Sequence, residues 1–176
     1  FASGAFDAIL ALDVIEHMDD DVACLAEAGR LCAAGGHVIV AVPAFQWLWS
    51  RHDETFEHKR RYTASRLMRA VRQAGLEPER VTYTNVLLFP VAAVWRTLSY
   101  RLGLGRFAPK HDFWPLPRWL NALLVRLYRL EAWMLRHVDL PLGLSAVCVA
   151  RTPREGRPAR IRADRRGPRL GWYHGG

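Results

Sequence analysis

Two short stretches of this chain concentrate the side chains that can do chemistry. In the first, FDAILALDVIEHMDD, an apolar run over residues 8–12 passes directly into Asp13, Glu16, His17, Asp19 and Asp20. Carboxylates so placed can accept hydrogen bonds from a ligand's amino or hydroxyl groups, and an imidazole can donate one. The second stretch holds Trp47-Leu48-Trp49-Ser50-Arg51-His52-Asp53 and then His58-Lys59-Arg60-Arg61-Tyr62. Imidazole ordinarily changes charge near neutral pH, so either His52 or His58 suits a base or binder, with Asp53 to orient it. Arg60 and Arg61 offer forked donors to an anionic group such as a phosphate. Plainer readings compete. Glu16 and His17 could simply satisfy loop amides, and the second stretch could be a structural lid with solvated arginines and a packed Tyr62. His52, Asp53 and His58 could also form a metal trio; three such residues without a fourth recur by chance, and no metal centre is expected.

The elements that must position these groups follow from apolar spacing. Phe6–Leu12 reads as a short strand buried on both faces, as in a parallel sheet. Asp19, Asp20 and Asp21 supply an N-cap and an acidic first turn for a helix carrying Val22, Leu25, Ala26, Ala28 and Leu31 inward, stopping at Gly35-Gly36. Residues 37–42 form a second strand ended by Pro43, which completes a βαβ unit. In open α/β sheets ligands bind beyond the carboxyl ends of the strands, and both reactive stretches begin at such ends. Residues 44–62 read as an irregular loop. Thr63 caps a helix with Leu67, Met68, Val71 and Ala74 at helical spacing before Gly75. Strands are expected over 79–85 and 143–150, with helical stretches over 89–102 and 117–137 between them.

Composition narrows the classes. The chain has 176 residues, 51% of them hydrophobic, which suits a packed core. Its net charge of +8 is concentrated after Ala150, where eight arginines against Glu155 and Asp164 give +6 and leave +2 for residues 1–150. A nearly neutral globular part gives no basic face for nucleic acid, and no nucleic-acid partner is expected. Residues 1–150 are read as one partial domain and 151–176 as a basic disordered tail. Cys24, Cys32 and Cys148 lack metal-like pairing and read as buried thiols of a reducing, cytoplasmic compartment. The first residues carry no signal peptide, and the chain reads as the continuation of a longer one.

Taken in order, FDAILALDVIEH, the Gly-Gly turn with HVIVAVP, the helix from Thr63 leading to Gly75-Leu76, and residues 144–151 resemble the second half of class I S-adenosylmethionine-dependent methyltransferases. The resemblance implies the C-terminal part of a Rossmann-like α/β sheet with a helical insertion, about 86–137, before the last strand. It implies S-adenosyl-L-methionine as cofactor, flanked by Leu12, Asp13, Val14 and His17. One small-molecule and lipid-type branch has a similar W-S-x-H-D … H-x-R-R-Y-T loop, here Trp49 to Asp53 and His58 to Thr63. On that likeness His52, Asp53 and His58 are catalytic, and Trp49, Arg61 and Tyr62 bind a small-molecule or lipid-linked acceptor. The branch has Gly before the second His, where this chain has Glu57. The family's Gly-rich cofactor loop has no counterpart here and would lie upstream of Phe1, so this segment is expected to be inactive alone.

The insertion is apolar and edged with arginine. Trp119, Leu120, Leu123, Leu124, Leu127, Leu130, Trp133 and Met134 make one broad surface, with Arg118, Arg126, Arg129 and Arg136 at its border. Such a helix suits a cap over the site, the face of a homodimer, or peripheral contact with a membrane interface. An interaction or membrane-surface module without catalysis is therefore the alternative reading.

Overall fold

The computed structural model describes residues 1–101 and 117–154. The expected disordered tail beyond residue 154 and the middle of the insertion lie outside the described residues. Strand β1 (Phe6–Leu12) leads through a single 3-10 turn (Ile15–His17) into helix α1 (Asp21–Leu31), and the chain returns as β2 (Cys32–Pro43). β1 and β2 pair in parallel, with Ile9 opposite Val38 and Leu12 opposite Ala41, so the βαβ unit forms as read. The Asp20 carboxylate accepts from the Ala23 amide at 2.8 Å, the N-cap expected of that position. Short helix α2 (Arg51–Thr55), helix α3 (Ala64–Gln73) and strand β3 (Glu77–Thr84) follow. Helices α4 (Phe89–Arg101) and α5 (Arg118–Leu135) then precede β4 (Ser145–Arg151).

The sheet is open and mixed, in the order β1-β2-β4-β3, with β4 antiparallel to both neighbours. β1, β2 and β3 therefore run one way and β4 the other. The ends of the first three and the start of β4 meet at one edge, where any ligand groove must form. The α/β class and the helical insertion before the last strand are as expected.

Alternation decides which face is covered. Val38, Val40 and Val42 of β2 and Ala146, Cys148 and Ala150 of β4 are buried, with partly exposed residues between them. Leu25 of α1 and Leu67, Ala70 and Val71 of α3 join the same core. At about 25 cal/mol per Å² of apolar surface, each such side chain contributes roughly 1.5–3 kcal/mol when fully buried. Two expectations need correcting. β1 is not buried on both faces: Leu10 is 62% exposed and Leu12 53%, because β1 is the sheet's edge among the described residues. Nor does Gly35-Gly36 stop α1, which ends at Leu31. The pair lies inside β2 where the pairing slips between Phe6 and Ala8. Gly35 has φ +77, and a Cβ on Gly36 would lie 2.7 Å from the Asp7 carbonyl, so both glycines serve a bulge.

Burial pushes the Cys148 thiol up to about 12. A thiol so placed holds almost no thiolate, the nucleophilic form. In the folded protein Cys148 is expected to react with a thiol-selective reagent on the order of a thousandfold more slowly than in denaturant. Mass-spectrometric mapping of the alkylated peptide checks this; equal rates would contradict its place in the core.

The insertion is tied to the sheet by polar anchors. Buried Glu131 on α5 accepts from the amides of Asn85 and Leu87, just before α4. Arg80 on β3 pairs with Asp139 at 2.6 Å and donates to the Leu135 and Val138 carbonyls at the C-terminal end of α5. Most of the apolar surface stays open: Val91, Trp95, Trp119 and Trp133 are each more than half exposed.

Candidate active-site cleft

The two reactive stretches meet. A cleft of about 430 Å³ at the ligand edge of the sheet is lined by Asp13 and His17 from the first, and by His52, Phe56, His58 and Arg61 from the second. Asn85, after β3, Arg96 on α4, and Leu144 and Ser145 at the start of β4 complete its wall. Asp13 and Asn85 both hold positive φ, at 50° and 62°, a strained backbone that clusters at functional sites and that Asp and Asn tolerate best.

The contact between the stretches is built mainly by the backbone and by charge. The chain re-enters the sheet edge where Tyr62 pairs with Pro43 and Phe45: the Tyr62 amide donates to the Pro43 carbonyl at 2.9 Å, and the Phe45 amide to the Tyr62 carbonyl at 2.9 Å. The Lys59 amide donates to the Glu16 carbonyl at 2.8 Å, and Arg60 donates to the carbonyls of Met18 and Asp19. Lys59 also pairs with Asp19. These bonds set the His58 ring edge-on to the His17 ring, 4.8 Å between centroids. The expected irregular loop thus contains a 3-10 turn at Gln46–Leu48 and helix α2, and it is strapped to the first stretch.

At its centre sits Asp53, wholly buried. Arg61 grips it with Nε on Oδ1 at 2.8 Å and a second nitrogen on Oδ2 at 2.9 Å, while the remaining Arg61 nitrogen donates to the Ala44 carbonyl. The Ser50 amide and hydroxyl donate to Oδ2 at 2.8 and 3.1 Å. His58 Nδ1 lies 2.9 Å from Oδ1. Burial alone would push the Asp53 carboxyl up; the hydrogen bonds from Arg61 and His58 outweigh it and hold it at about 2. An ionised carboxylate only accepts, so His58 carries a proton on Nδ1, and in the neutral imidazole the lone pair is then on Nε2. Asp53 orients His58, not His52, whose ring packs on Phe56 at 4.4 Å.

Glu16 reads in the sequence as an acceptor or a partner of loop amides and takes no site role there. It lies in the 3-10 turn, is wholly buried, and neither carboxylate oxygen has a hydrogen-bond partner among the described residues. Burial, with the nearby Asp13 charge adding to it against a partial offset from its own backbone, pushes its carboxyl up to about 7. The plainer reading, that Glu16 satisfies loop amides, does not hold for its carboxylate oxygens among the described residues.

Other candidates fall elsewhere. Leu12 is exposed at the end of β1, and Val14 packs against the core, so of the four cofactor candidates only Asp13 and His17 line the cleft. Trp49 is not among the lining residues. Arg61 lines the cleft but is 3% exposed, with the donors above committed to Asp53 and Ala44; the free phosphate-binding fork expected of it is not there. Tyr62 is wholly buried and its hydroxyl donates to Asp21 at 2.7 Å, a structural part where an acceptor contact was expected. The His52–Asp53–His58 metal trio also fails, because both Asp53 oxygens are already engaged.

Glu57 takes the position where the similar loops have glycine, and it holds φ 56. A non-glycine residue there costs about 1–2 kcal/mol. Glu57→Gly is therefore expected to raise the melting temperature by about 2–4 °C. A thermal melt checks it, and an unchanged or lower midpoint would contradict the strain.

Comparison with known proteins bears on the same segment. The family model described as a methyltransferase domain matches residues 1–40. No curated protein sequence matches significantly. Among solved structures, a chain of the Haloferax volcanii complex containing the Trm112 methyltransferase activator is 17% identical with a TM-score of 0.49, over 89% of this chain and 58% of that one. The [4+2]-cyclase SpnF is 18% identical with a TM-score of 0.48, over 88% and 52%. A Haemonchus contortus phosphoethanolamine N-methyltransferase, solved with S-adenosyl-L-methionine, is 13% identical with a TM-score of 0.48, over 88% and 35%. This chain thus spans between about a third and three fifths of the length of these three.

Proposed function

We propose that the cleft serves S-adenosylmethionine-dependent methyl transfer to a small-molecule or lipid-linked acceptor, within a longer cytoplasmic protein. One observation carries the reading: Asp13 and His17 of the first stretch and the histidine loop share a single groove at the strand-end edge of the sheet. Its volume lies within the 300–1,000 Å³ usual for small-molecule sites. The cofactor supplies the reactive methyl group; the protein supplies position and electrostatics. Asp13 suits the cofactor side, since its carboxylate can accept from a ribose hydroxyl or an amino group, and His17 borders it. His58, held by Asp53 at a fixed angle, suits the acceptor side, where its Nε2 takes a hydrogen bond from the group to be methylated.

The test is transfer of labelled methyl from S-adenosylmethionine, by the protein at its natural length, into small-molecule and lipid extracts. His58→Ala is expected to lower the rate by about 10²–10⁴ while cofactor binding stays within a few fold. Equal rates in the two proteins would remove His58 from the acceptor side.

A second reading, a surface module that works without catalysis, is favoured by the open apolar face of α4 and α5. No helix among the described residues is long and apolar enough to cross a membrane, so contact would be peripheral. Co-sedimentation with phosphatidylglycerol vesicles at low salt tests that contact. Binding lost on Trp119→Ala and Trp133→Ala supports it, and protein that stays in the supernatant excludes it.

A further inference from the structure

We propose that Glu16, His17 and His58 form a binding site for a divalent transition-metal ion, of the zinc, manganese or cobalt type. One ligand atom from each lies within 4.8 Å of the others. Ligand atoms on one tetrahedral ion stand roughly 3.3 Å apart, given bonds of about 2.0–2.2 Å. Closure therefore needs side-chain movements on the order of 1 Å, and the strap has already brought the two loops together.

Three features point to a cation rather than to chance proximity. The first is Glu16. A carboxylate wholly buried, with neither oxygen hydrogen-bonded to a side chain or amide among the described residues in direct geometry, carries a desolvation cost that its own backbone and the Arg61 charge offset only in part. A cation in contact with it would offset that cost. The second is a further carboxylate, Asp13, which lines the same cleft as His17 and His58. Two carboxyls side by side either share a proton or hold a cation between them, and Asp13 could supply a fourth ligand. The third is the support behind His58. Its Nδ1 is bound to Asp53, which Arg61 and Ser50 hold in turn, so Nε2 is the atom left to ligate. A carboxylate fixing the far nitrogen is the usual outer partner of a metal-bound histidine.

The donor set selects the ion. Two imidazoles and a carboxylate suit zinc, manganese, cobalt or iron; calcium and magnesium prefer all-oxygen sites. His52 takes no part, and neither does Asp53 directly, so this site differs from the trio that sequence spacing suggested. With the ion bound, Nε2 of His58 is a ligand, and an acceptor oxygen or nitrogen would meet the ion in place of the imidazole. The site does not depend on methyl transfer, because it is tested without S-adenosylmethionine.

The experiment is titration of chelator-stripped protein with cobalt(II), read by its visible absorption, and with zinc(II) by calorimetry. One ion per chain is expected, with the cobalt band typical of low-symmetry nitrogen and oxygen ligation. His17→Ala and His58→Ala should each weaken binding by at least tenfold. His37→Ala, far from the cleft and paired with Glu79, should bind within twofold of wild type. Circular dichroism confirms that the variants fold. No stoichiometric binding to the wild type, or binding retained within twofold in both His17→Ala and His58→Ala, would overturn the site.

Discussion

Asp53→Ala is expected to cost about 3–5 kcal/mol of stability, a large share of the roughly 5–15 kcal/mol that holds a domain together. The reason is what it leaves behind. Arg61 stays 3% exposed with its charge unopposed, and the Ser50 amide and His58 Nδ1 lose their acceptor. Removing one member of a buried ion pair costs far more than the pair contributes. Urea unfolding measures the loss. The double variant Asp53→Leu with Arg61→Met, which removes both charges, should recover most of it while leaving His58 unoriented. A loss under about 1 kcal/mol for Asp53→Ala would mean that water reaches the pair and that His58 is not rigidly held.

Glu16→Met runs the other way. In metal-free protein and mildly alkaline buffer, it is expected to raise stability by about 1–3 kcal/mol, because a thioether of similar length replaces a buried carboxylate without partners. Few substitutions of a charged residue stabilise, so the sign is informative. The same change removes a proposed metal ligand, so stability and metal affinity should move in opposite directions. Unchanged or lower stability would show that the carboxylate has a stabilising partner in solution.

What the sequence made legible was local. Asp20 and Thr63 could be read as caps because a short side-chain acceptor before an apolar-periodic run has one common use, and both accept from the amide three residues on. The meeting of the two reactive stretches was legible too, because both leave carboxyl ends of parallel strands. What was hidden is long-range. Nothing in the spacing of Asp53 and Arg61 announces that they clasp each other rather than a ligand. Glu16 looks like one acid among several until residues 59–62 close over it. β1 has the composition of an interior strand, yet it lies at an edge here, because composition records what a strand can bury and not which neighbours are present. The Gly35-Gly36 pair fits a helix stop and a strand bulge equally well by residue type alone; only the register with β1 separates them.

Calorimetric titration of the natural-length protein with S-adenosylhomocysteine tests most directly the proposal that Asp13, His17 and the histidine loop bound one nucleoside-binding groove. Saturable one-to-one binding is expected, weakened at least tenfold by Asp13→Asn, a change that keeps the tolerated backbone but removes the charged acceptor. Absence of saturable binding, or equal affinity in wild type and Asp13→Asn, would contradict it.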